Sequence, residues 1–118
     1  MTKNDPRVIE TPSGAIIYVG RNAQQNDALV SKYCNTCNTW WFHAGDDTPG
    51  AHVILIPLDG TLQNSDVSIA SLLALKHSQA ENKHRGRVTY CKSTNVIKPH
   101  GYKPGQVSFK DRPNTRSI

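Results

Sequence analysis

The chain has 118 residues, with 14 Lys and Arg against 9 Asp and Glu, a net charge of +5 and 36% hydrophobic residues. That length supports one domain with a core of its own, expected to run over residues 1–118 with its packed part at about residues 10–110. No apolar run is long enough to cross a bilayer and Met1-Thr2-Lys3-Asn4-Asp5 lacks a signal-peptide pattern, so a soluble cytoplasmic protein is the expectation.

Residues 1–13 are polar with two prolines and read as a loose arm or a short edge strand, the first nine flexible. Ala15-Ile16-Ile17-Tyr18-Val19, bounded by Gly14 and Gly20, reads as a buried strand. Gly20 can turn the chain sharply and present Arg21 and Asn22 at the strand's end. Asn26 is the expected N-cap of a helix from Asp27 to Tyr33. Exposed amides, a guanidinium and a helix N-terminus together suit a phosphate or a polar base edge. The same residues also describe an ordinary, well-capped strand-to-helix turn.

Thr39-Trp40-Trp41-Phe42-His43 and Ala51-His52-Val53-Ile54-Leu55-Ile56 read as two strands joined by a turn-rich segment. Alternation puts Trp41 and His43 on one face and Trp40 and Phe42 on the other, one face filling the core and the other offering a surface for stacking. A second helix starts near Asn64 or Ser65, carries the apolar stripe Val67 to Leu75 against the sheet, and continues as a basic segment to Gly86. Strands are expected around Val88–Cys91, at Val96-Ile97 and at Val107–Lys110, followed by a flexible tail over 111–118. The fold class is therefore α+β, a mixed or antiparallel sheet of about five strands with two helices packed on it.

Charge is unevenly distributed. Residues 1–82 hold five Lys or Arg against eight Asp or Glu, whereas residues 83–118 hold nine against Asp111 alone. Interleaved with Tyr90, His100, Tyr102 and Phe109, that basic third suits a polyanion, because Lys and Arg displace condensed counterions and rings stack on bases.

Four blocks in order carry a resemblance. Val19-Gly20-Arg21-Asn22-x-x-Gln25-Asn26-Asp27, Trp41-Phe42-His43, Pro49-Gly50-Ala51-His52-Val53 and Lys98-Pro99-x-Gly101-x-x-Pro104-Gly105-x-Val107 closely resemble the NFACT RNA-binding domain. Thr39 stands where that family usually has an aspartate, and Ala51 where it usually has a serine. The resemblance implies a stand-alone RNA-binding module for tRNA or ribosomal RNA, linked to translation and ribosome-associated quality control, with the large ribosomal subunit as a partner. It implies RNA-binding roles for Arg21, Asn22, Gln25, Asn26, Trp41, His43, His52 and Lys98, and the basic third adds Lys103. Arg21 and Lys98, with the basic residues of 83–116, are expected to contact phosphates, while Trp41, His43 and His52 shape the surface or stack on the RNA.

No metal, cofactor or catalytic site is expected. Cys34-Asn35-Thr36-Cys37 has metal or redox spacing, but it precedes a strand and no second such pair exists. The case for an enzyme is that His43 and His52 face each other across the hairpin and cleave RNA as acid and base, with no third group to assist. The remaining alternative is a protein-docking module on a ribosomal or quality-control partner.

Overall fold

The computed structural model describes residues 5–45 and 48–118, and the expectations for residues 1–4 and 46–47 lie outside them. Among the described residues the order is β1 (Arg7–Glu10), β2 (Ile16–Val19), α1 (Ala23–Tyr33), β3 (Trp40–Ala44), β4 (Val53–Ile56), α2 (Asn64–Lys76), β5 (Arg87–Lys92), β6 (Val96–Ile97), β7 (Ser108–Phe109) and β8 (Asn114–Ser117). Six strands form one antiparallel sheet in the order β1-β2-β4-β3-β5-β8, and β6 pairs with β7 in a separate ribbon. The fold is α+β.

The sheet is covered on both faces, and strand alternation decides what lies under each cover. Ile17, Val19, Phe42, Val53, Leu55 and Val88 point toward α2, where Val67, Ala70, Ala74 and Leu75 meet them. Trp41, Ile54 and Cys91 point the other way, toward Leu29, Val30 and Tyr33 of α1 and Val96 of the ribbon. Phe42 is fully buried and stacks on Tyr90 at 5.6 Å between ring centroids. Trp41 is only 3% exposed, so the aromatic face expected to be free for stacking is covered by α1 and the ribbon.

Three local expectations change. Helix α1 begins at Ala23, because Asn22 takes the cap: its side chain accepts the Gln25 N–H at 2.9 Å. Asn26, expected as the cap, is buried one turn inside and is used elsewhere. Helix α2 stops at Lys76 and not near Gly86, because the chain beyond it pairs with the loop before β4. Ala51 N–H donates to His77 O at 2.9 Å and Gln79 N–H to Pro49 O at 2.8 Å. Finally, the tail expected to be flexible carries the edge strand β8 against β5, while β1 against β2 is the short edge strand that is one of the two readings of residues 1–13.

Candidate nucleic-acid interface

Strands β2 and β4 part after Val19 and Val53, and the polar residues collect at that parting. Gly20 N–H still donates to His52 O at 3.0 Å, while the Asn26 side-chain oxygen accepts His52 N–H at 3.0 Å. A side chain at position 20 would displace the Asn26 side chain, since a Cβ would lie 2.0 Å from Asn26 Oδ1. Behind the turn, Gln25 Oε1 accepts Arg21 N–H at 2.8 Å, so the Asn22 and Gln25 side chains together satisfy amides around the helix start. The conformation that presents Arg21 and Asn22 is thus held from both sides.

Next to this turn lies an open cleft of about 950 Å³. Its walls come from the α1 entrance (Arg21, Asn22, Asn26), the β3 end with the loop before β4 (Trp41, His43, Gly50, His52), the α2 exit (His77, Gln79) and the loop Lys103–Val107. Arg7 of β1 completes the basic rim. No carboxylate is among the described residues lining it.

The floor is an aromatic stack. Trp41 lies parallel to His43 at 5.7 Å between ring centroids and meets His52 and Phe109 edge-on at 5.2 and 5.3 Å. His43 and His52 face each other at 5.2 Å, as the sequence suggests. His43 Nδ1 lies 2.7 Å from Ala44 O and its Nε2 3.2 Å from Gly50 O, so both ring nitrogens face carbonyls of the protein. His52 is 1% exposed; burial, and then the neighbouring His43, push its pKa down to about 3. His52 is therefore neutral at physiological pH and unsuited to act as a general acid there. Burial, and then Arg7 and Lys76, also lower the pKa of His77.

Seven of the nine residues expected at the site line this cleft: Arg21, Asn22, Asn26, Trp41, His43, His52 and Lys103. Gln25 stands behind it, and Lys98 lies outside it in an ion pair with Asp27 at 2.9 Å. Arg7 and His77 were missed: Arg7 falls in a segment with no periodicity, and His77 reaches the cleft only because α2 ends where it does. The other cations of the basic third are spread over the surface, with Lys92, Lys110 and Arg112 around a separate shallow depression. Of the two departures from the family pattern, Thr39 is buried and donates its hydroxyl to Thr36 O, while Ala51 lines the cleft.

Among the described residues no group of three or more His, Cys, Asp or Glu is placed to hold a metal. Cys34, Cys37 and Cys91 are free thiols. No helix of the described residues is long and apolar enough to cross a membrane.

The family model described as "NFACT protein RNA binding domain" matches residues 6–111. A protein named "Rqc2 homolog RqcH" from Streptococcus suis is 33% identical over 111 residues, 93% of this chain and 19% of that protein. The protein of the same name from Bacillus subtilis is 33% identical over 100 residues, 85% of this chain and 17% of that protein. The chain therefore spans less than a fifth of these relatives. The solved structure titled as the C-terminal of the fibronectin/fibrinogen-binding protein from Streptococcus suis superposes with a TM-score of 0.85 at 29% identity, covering 100% of this chain and 46% of that one.

Proposed function

Because this chain belongs to the NFACT RNA-binding domain family, we propose that it binds structured RNA, tRNA or ribosomal RNA, in the cleft at the α1 entrance and acts in ribosome-associated quality control. The observation that carries this reading is the lining: Arg7, Arg21 and Lys103 converge on one cleft that no described carboxylate enters. Such a surface attracts a phosphate backbone by counterion release. The α1 N-terminus adds the positive end of a helix dipole beside Arg21 and Asn22.

In this reading the cations supply affinity, and the Trp41–His43–His52 stack fixes the shape of the floor. His52 contributes as a neutral ring. The large ribosomal subunit is the setting we infer, from membership of the family. The family's own description is of binding, and the histidine pair supports no cleavage step, since one ring is held neutral and both nitrogens of the other face backbone oxygens.

The test is affinity for tRNA, a ribosomal RNA fragment and duplex DNA over a salt series, with Arg21→Ala and Lys103→Ala alongside. Selective, salt-dependent binding of one RNA that both substitutions weaken supports the proposal. Weak and equal binding to all three overturns it and favours docking on a protein partner.

A further inference from the structure

The loop from Lys98 to Gln106 brings Lys103 to the cleft, and one ammonium organises it. Lys98 Nζ lies 2.9 Å from Asp27 Oδ1, 2.6 Å from Lys103 O and 2.9 Å from Gln106 O. An ammonium has three N–H donors, and these three oxygens use all of them. Asp27 Oδ1 also accepts Gly105 N–H at 2.8 Å, so the carboxylate holds the loop by its backbone as well as through Lys98. Gly105 sits at φ +82° against Ala23, where α1 begins. The loop contributes little apolar anchoring of its own, with Tyr102 39% exposed at its tip.

We propose that Asp27 and Lys98 are positioning residues that fasten the Lys103–Gly105 segment to helix α1 at the rim of the cleft, and that Lys98 is not itself a phosphate contact. The assignment rests on the RNA-binding reading above. Lys98 would have to give up a protein oxygen to take a phosphate, whereas the exposed Lys103 ammonium extends from a backbone that Lys98 holds in place. Without the pair, the loop samples other positions and RNA must order it on binding, which lowers affinity without changing the number of phosphates contacted.

Direct contact and positioning predict opposite results for Asp27→Asn. Removing a carboxylate beside a polyanion site strengthens binding if charge alone matters; loosening the loop weakens it. The experiment measures tRNA affinity over a salt series for wild type, Asp27→Asn, Lys98→Met and Lys103→Ala, together with hydrogen exchange at the Gly105 amide without RNA. Positioning predicts that Asp27→Asn and Lys98→Met each weaken binding about two- to fivefold, the size of a part-exposed ion pair. It predicts an unchanged salt slope for both, and faster Gly105 exchange. Lys103→Ala should flatten the slope. Tighter binding by Asp27→Asn, or a slope flattened by Lys98→Met, overturns the proposal. If wild type binds no RNA, the functional reading fails and the RNA role of the pair fails with it. The exchange data still report separately whether the pair fastens the loop.

Discussion

The side-chain oxygen of Asn26 accepts the backbone N–H of His52 at 3.0 Å, joining helix α1 to the start of β4 where β2 turns away. Both residues are buried, so the amide has no water to replace its partner. Asn26→Ala is expected to cost about 1–3 kcal/mol, the usual penalty for leaving a buried donor unpaired. Gly20→Ala should be at least as damaging, because the added methyl occupies the Asn26 oxygen's position. Denaturant unfolding of both variants measures this, and wild-type stability in either would contradict the arrangement.

Phe42 anchors the opposite face of the sheet. Its ring is fully buried between the sheet and α2 and stacks on Tyr90. Phe42→Ala should cost about 3–5 kcal/mol by loss of burial and creation of a cavity. A loss below about 1 kcal/mol in chemical denaturation would mean that the site collapses around the gap, against the packing seen.

Acid should destabilise the protein through His52. Its pKa is about 3 when folded against an ordinary 6.5, so the unfolded chain binds a proton that the folded chain excludes. Stability is then full above pH 6.5 and falls as pH drops toward 3, by up to about 1.4 kcal/mol per pH unit. His77, also lowered, acts with the same sign. Asp27 adds to the loss only at lower pH: burial raises its pKa, but the Lys98 hydrogen bond, the Gly105 amide and the Lys98 charge outweigh that and hold it below the ordinary 3.8. That contribution is present above pH 3.8 and disappears as pH falls through the lowered value. Stability measured from pH 7 to 4 should decline less steeply for His52→Gln than for wild type. Equal slopes would contradict a buried, neutral His52.

The histidine pair should be catalytically silent. Incubated with the purified protein, tRNA should remain intact at neutral pH, and His43→Ala should not alter its decay. Turnover abolished by His43→Ala would establish an RNA-processing enzyme instead.

Much of the fold was legible where a face is buried along its whole length. The apolar run Ala15–Val19, the alternation of Trp40–Ala44 between two covered faces and the stripe of α2 were readable because each packs against a core. The start of α1 was not, because Asn22 and Asn26 are both capable caps, and only the distant His52 amide decides which one is used elsewhere. Strand β8 was missed for a different reason: Asn-Thr-Arg-Ser has no apolar alternation and is a strand only by pairing with the edge of β5. At the site, ordered motifs identified six cleft residues and the charge of the basic third a seventh, Lys103. They did not reveal that Lys98 is paired with Asp27, a partner far away in sequence that no local pattern connects to it. Arg7 and His77 join the cleft through tertiary placement alone.

Occupation by RNA of the cleft between the α1 entrance and the Lys103–Val107 loop is the most direct thing to measure. Amide chemical-shift mapping on titration with tRNA tests it residue by residue. RNA in the cleft shifts amides at Gly20–Ala23, Gly50–His52 and Lys103–Val107, with the exposed face of α2 unaffected. Changes centred on α2 or on the Lys92, Lys110 and Arg112 patch, with the cleft silent, would contradict it.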